Sequence, residues 1–224
     1  MKKISIIPFL IVILLCSCAS NKVNDNLEFP KTTRDMSRDE VMKAWNLTEE
    51  DLVDFEREDV IYIKGYELFG EKTESINFQF YDFGDEGAYE LVQVLVSYPS
   101  DADMDHVSEE IQKVYGKPDP DMNFYYLHSA LESLSAYETK EPGSVTNWGT
   151  GSIGDLIPVE EQEYYREQWE SYQSGLNEDN WEEFKQNSRL ERISLLTDNG
   201  WNCVEFNAAN QMIYETIKNT LQNR

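Results

Sequence analysis

The chain has 224 residues, with 19 Lys and Arg against 43 Asp and Glu and a formal net charge of -24. A hydrophobic share of 40%, with 12% aromatic, is enough to build a compact core and argues against wholesale disorder. A chain this acidic repels phosphate backbones and anionic headgroups, which excludes nucleic-acid binding and leaves neutral or basic partners.

The N-terminus has the three parts of an export signal: Lys2 and Lys3, a run of 12 residues from Ile4 to Leu15 that is largely apolar, then small residues and a cysteine. A spanning helix needs about 20 apolar residues. Pro8 also interrupts this run, so residues 1–17 read as a lipoprotein signal peptide rather than a stable anchor. Leu15-Cys16-Ser17-Cys18 resembles the bacterial lipobox, which implies diacylation of Cys18 and a lipid-anchored, extracytoplasmic place in a bacterial cell envelope. The alternative is an ordinary secretory signal cut near Ser17 or Ala19. Either way Cys203 is the remaining internal thiol, and one cysteine cannot bridge, so the core and not disulfides must hold the fold. Residues 18–35 are polar, lack apolar periodicity, and read as a tether.

Ser37 and Glu40 form a capping box flanked by the apolar pair Met36 and Val41, which predicts a helix reaching Trp45. Thr48 and Asp51 repeat the device and predict a further helical turn. The period then changes to two. Residues 60–65, 76–82 and 89–98 are rich in Ile, Val, Tyr and Phe, with Ile76, Phe78 and Phe80 alternating, as do Val92, Val94, Val96 and Tyr98. Gly84-Asp85-Glu86-Gly87 predicts a hairpin loop joining the last two strands antiparallel. Met104, Val107, Ile111 and Val114 then mark a helix over residues 105–115, capped by Asp103 or Asp105 and stopped by Gly116 and Pro118.

Residues 123–128 and 144–148 are weaker strand candidates. Residues 189–197 and 201–206 flank Asp198-Asn199-Gly200, a hairpin turn signal, and a final helix carries Ile213, Ile217 and Leu221 on one face. The expected fold class is α+β: two tandem helix-then-antiparallel-strands motifs, residues 36–98 and 99–224, forming one continuous helix-on-sheet layer with a C-terminal helix. Residues 158–186 interrupt the second motif as an acidic helical insertion with Tyr165, Trp169 and Tyr172 at helical spacing, then Trp181 and Phe184.

The stretch from Met36 to Trp45 resembles the opening M-[ST]-x-x-E-V-x-x-x-L helix of the small BamE/SmpA-type outer-membrane assembly lipoproteins and of β-lactamase-inhibitor-protein-like domains. Residues 105–120, with Tyr115-Gly116-Lys117-Pro118, are similar to the second helix and its exit in tandem-repeat lipoproteins of that shape. The resemblance implies a non-enzymatic envelope lipoprotein that presents a sheet face to another protein.

Other motifs favour plain structural readings. Gly149-Thr150-Gly151-Ser152-Ile153-Gly154 spells G-x-G-x-x-G, but Pro158 follows too soon for the helix of a βαβ unit, so a flexible loop is expected and no cofactor. Asp101, Asp103 and Asp105 begin like a calcium loop, yet His106 and Gln112 stand where that loop needs Gly and Glu, so helix capping accounts for them and no metal is expected. His106 and His128 are the two histidines, with no catalytic motif around them. Cys203 lies in a predicted strand without a neighbouring cation, the setting of an inert buried thiol.

The expected function is therefore a lipid-anchored, non-catalytic protein-interaction module with a neutral or basic protein partner. The stripe of Tyr165, Trp169, Tyr172, Trp181 and Phe184 either packs onto the sheet or forms the partner-binding surface. Exposed, those rings would equally suit a glycan or peptidoglycan, which is the alternative function.

Overall fold

The computed structural model describes residues 26–53, 57–82, 89–119, 126–127, 137–138, 145–173, 175–198 and 201–223. The first helix, α1 (Arg38–Trp45), starts at the predicted box: Ser37 Oγ accepts from the Glu40 N–H, and the Glu40 carboxylate accepts from the Ser37 N–H at 2.9 Å. It ends at Asn46, whose left-handed φ of 54° lets its N–H bond back to the last turn. The Thr48 and Asp51 box holds a single 3-10 turn, Glu49–Asp51.

Strand β1 (Val60–Ile63) is followed by a short ribbon, β2 (Glu67–Leu68) and β3 (Glu71–Lys72), then β4 (Ser75–Asp82) and β5 (Tyr89–Tyr98). Helix α2 (Met104–Tyr115) is capped by Asp103, which accepts from the His106 N–H at 3.0 Å. A two-residue pair, β6 (Tyr126–Leu127) and β7 (Tyr137–Glu138), precedes β8 (Val145–Ser152). Helices α3 (Ile153–Leu156), α4 (Gln162–Tyr172) and α5 (Trp181–Asn187) form the insertion; β9 (Arg189–Asp198), β10 (Trp201–Asn207) and α6 (Ala209–Gln222) complete the chain. The predicted turns at residues 84–87 and 199–200 lie outside the described residues, as do Cys18 and His128.

One six-stranded antiparallel sheet runs in the order β1-β4-β5-β10-β9-β8. The class is α+β, and the sheet is continuous. Each half is a helix followed by a three-strand meander, and the last strands of the two halves pair at the centre with Val96 opposite Val204. Gly149 to Ser152, expected as a loop, instead extend the edge strand β8, because Thr150 and Ser152 pair with Glu191 and Arg189.

Two large cores flank the sheet, beside a small third cluster of Leu196 and Cys203. On one face Ile61, Phe78, Val94, Val96, Val204 and Ile193 meet Val41 and Trp45 of α1 and Val107, Ile111 and Tyr115 of α2. Near the strand ends, Val92 and Leu190 belong to a second core with α3 to α6. Val92 departs from the predicted alternation for a local reason. Gln79 pairs with Gln93 and Phe80 with Leu91, so Val92 is the extra residue of a β-bulge, and the bulge sends it to a different core from Val94.

The polar tether expected to reach residue 35 is shorter. Leu27 and Phe29 are buried, and Phe29 stacks on Trp45 at 5.5 Å and meets Phe206 edge-on at 5.1 Å. Pro30 and Lys31 turn the chain, with Lys31 at φ 66° and the Thr32 N–H returning to the Phe29 carbonyl at 3.0 Å. The two apolar side chains bury because this turn aims them at the core between α1, α2 and the sheet.

Candidate functional site

The aromatic stripe of the insertion is core. Tyr165, Trp169 and Trp181 are 1%, 0% and 4% exposed, and Tyr172 and Phe184 pack half-buried against the same cluster. Trp169 meets Trp181 at 6.3 Å and Phe184 at 5.6 Å, while Tyr165 stacks on Tyr214 of α6 at 5.7 Å. Burial pushes the Tyr165 hydroxyl up to about 12. Tyr165, Trp169 and Trp181 thus take the packing alternative, their rings turned to the interior by helical spacing, while Tyr172 and Phe184 stay half-buried at its border. The outward side carries exposed carboxylates instead, among them Glu160, Glu163, Glu167, Glu178 and Glu182.

Across the other face of the sheet, the strand register aligns two rows of mostly polar side chains. One row is Gln79, Gln93, Asn207 and Arg192; the next is Asn77, Leu95, Glu205, Ser194 and Asn147. Glu205 is fully buried and accepts from the Gln93 amide, from Asn207 at 3.0 Å and from Arg192 at 2.9 Å. Ser194 donates to Asn147 at 2.7 Å. Oxygens of Asn77, Gln79 and Gln93 are buried without a hydrogen-bond partner. Beyond Glu205 on the same strand face, the Cys203 thiol is pushed up to about 12 by burial and by that carboxylate, so it is no nucleophile.

Where the N-terminal strap crosses the ends of β5, β10 and β9, a small, shallow cleft opens, lined by Glu28, Thr32, Arg34, Gln93, Glu191 and Asn207 over an apolar floor. Its walls are tied down. The Leu91 N–H of the bulge bonds the Met36 carbonyl at 2.9 Å, and the Ala208 N–H bonds the Val92 carbonyl at 2.9 Å. Tyr115 donates to the Glu28 carbonyl at 2.7 Å. The Arg34 guanidinium pairs with Glu191 at 2.9 Å and with Glu215 of α6 at 3.4 Å, and Glu191 also accepts from the Leu27 N–H at 3.3 Å.

Glu28 is the unmatched charge. Burial raises its pKa; Arg34 opposes that rise and Glu191 adds to it. Sequence reasoning missed this site by reading residues 26–34 as tether; the Leu27 and Phe29 alternation and the Pro30-Lys31 turn are the signals that could have found it. Glu191, Gln93 and Asn207 read simply as strand residues.

Among the described residues no group of three His, Cys, Asp or Glu side chains is placed to hold a metal ion. Asp103 caps its helix, and the ring of His106 lies beside Gly70. No described helix is long and apolar enough to cross a membrane. Comparison with protein-family models, with curated proteins and with solved structures returns no match.

Proposed function

We propose that the chain is a lipid-anchored lipoprotein of the bacterial cell envelope that acts as a non-catalytic module docking a basic protein. The observation that carries this reading is the strap of residues 27–34, built into the core just downstream of Leu15-Cys16-Ser17-Cys18. With Cys18 acylated, residues 19–26 span at most about 28 Å when extended, so the domain stays close to the bilayer. Two acyl chains make such an anchor stable.

The partner's sign follows from charge. A strongly acidic surface, with a carboxylate-rich outer side on α4 and α5, steers basic proteins toward it. The tandem helix-and-meander halves are architecture alone, since fold analogy does not carry function.

Metabolic labelling with a clickable palmitate analogue tests the anchor: label on the parent chain and none on Cys18→Ser is the expected result, and an unlabelled parent overturns it. Cross-linking in the native envelope tests the docking. Recovery of one basic protein in near-equal amount supports the reading, whereas glycan fragments as the captured species overturn it.

A further inference from the structure

The strap of residues 27–34 is buried through two side chains and only loosely held by its backbone. Leu27 and Phe29 are core, and the Phe29 ring lies 5.5, 5.5 and 5.1 Å from those of Trp45, Phe78 and Phe206. Among the described residues the strap backbone joins neither a helix nor the sheet. The Thr32 N–H bonds within the strap to the Phe29 carbonyl, and the ties to the rest of the fold run through the side chains of Glu191, Tyr115 and Arg34. The first backbone bond into the sheet comes after it, from the Leu91 N–H to the Met36 carbonyl at 2.9 Å. Strands β5 and β10, by contrast, are paired along both edges. The seat under Phe29 also stands without it: Trp45 meets Phe78 at 5.5 Å, and Tyr115 and Phe69 meet Phe206 at 5.6 and 6.1 Å.

Resting on the reading of the chain as lipid-anchored at Cys18, we propose that residues 27–34 form a latch that leaves its seat as a unit while the sheet and helices stay folded, and so sets how far the domain stands from the bilayer. Burial of Leu27 and Phe29 favours the closed form. Against it stand the backbone entropy of ordering the whole segment and the turn at Lys31, where a residue with a side chain holds a left-handed φ of 66°. That balance makes closing a small gain, whereas unfolding β5 or β10 gives up ladder bonds and core together, so the strap opens first. Met36, bonded to Leu91, is the hinge. Closed, residues 19–26 reach at most about 28 Å from Cys18; open, residues 19–34 reach at most about 56 Å. The latch thus doubles the radius within which an anchored module can meet its partner.

Hydrogen exchange by NMR on the full chain in detergent micelles tests the latch. The Thr32 amide should exchange more slowly than in a free peptide, yet at least about 100-fold faster than the slowest amides of β5 and β10. It should respond little to urea up to about 1 M, because opening the strap exposes little surface. Phe29→Ala should strip Thr32 of its protection. It should speed the β5 and β10 amides by no more than the factor by which Thr32 was protected in the parent, since closing is all that the strap can add to them. A Thr32 amide as slow as those of β5 with the same urea response, no protection of Thr32 in the parent, or a larger acceleration of β5 in Phe29→Ala overturns the proposal. Neutron reflectometry of the acylated chain on a supported bilayer reads the reach: Phe29→Ala should raise the mean height of the domain, and an unchanged height overturns it. Palmitate labelling separates the two readings. A labelled chain whose strap opens only with the whole fold keeps the anchor and loses the latch, whereas an unlabelled chain whose strap opens alone loses the anchor and with it the control of reach.

Discussion

At single residues the structure concentrates its costs in a few places, and Glu28 is the clearest. Its carboxyl titrates above the ordinary 4.5, first because burial disfavours the charge, with Arg34 opposing and Glu191 adding. Folding therefore favours the protonated form: the stability linked to this group is complete below about pH 4.5 and is lost as pH rises through the raised folded value. Glu28→Gln removes that loss. It should be more stable than the parent near pH 7, by a few tenths of a kcal/mol once solvent screening is counted, and indistinguishable from it near pH 4. Urea melts at the two pH values measure this, and an equal gain at both would assign the effect to an uncharged contact. Gly70 is a second such position. It sits at φ 78° in the tip of the β2–β3 ribbon, where an added Cβ would lie 2.4 Å from His106 Nε2. Gly70→Ala should cost about 1–3 kcal/mol, and pairing it with His106→Ala should recover the steric share but not the backbone share. Full recovery in the double variant would show that φ is not strained there.

Among the elements, those with local signals were legible and those set by distant contacts were not. The Ser37 box and the Asp103 cap located α1 and α2 because a cap is a bond within four residues. Alternation located β4 and β5, and the Asp198-Asn199-Gly200 turn signal located β9 and β10. The bulge at Val92 was hidden, since Val92, Val94, Val96 and Tyr98 alternate as if on one face and only the pairing with Gln79 and Phe80 breaks the pattern. The strap was hidden because its two apolar residues find partners far along the chain, at Trp45 and Phe206. The stripe of α4 and α5 was legible as amphipathic, but sequence could not say which side met protein. Trp169→Ala tests the answer. With Trp169 fully buried, the change should destabilise by about 3–5 kcal/mol, whereas Glu167→Lys on the exposed side should stay within about 0.5 kcal/mol. Chemical denaturation of both variants decides it: a Trp169→Ala chain as stable as the parent would put the ring back on the surface.

For the whole molecule, the excess of acid is a standing cost to compactness. Several of the few bases are paired within the fold, where Arg189 meets Asp119, Arg192 meets Glu205, and Arg166 meets Glu170. The Arg192–Glu205 pair is nearly or wholly shielded, so salt weakens it little, while exposed carboxylates such as Glu160, Glu163 and Glu167 repel one another through water. Raising NaCl from about 0.1 M to about 1 M shortens the screening length from about 10 Å to about 3 Å. The repulsion should then fall by more than the attraction, and the chain should become more stable. A gain of about 1 kcal/mol corresponds to a Tm rise of about 2–4 °C for a chain of this size. Scanning calorimetry at neutral pH measures it, with NaCl chosen over sulfate so that surface exclusion of the salt does not imitate the effect. A flat or falling Tm would mean that ion pairs, not repulsion, dominate the surface. The same screening should weaken capture of a basic partner, so stability and docking should move in opposite directions with salt.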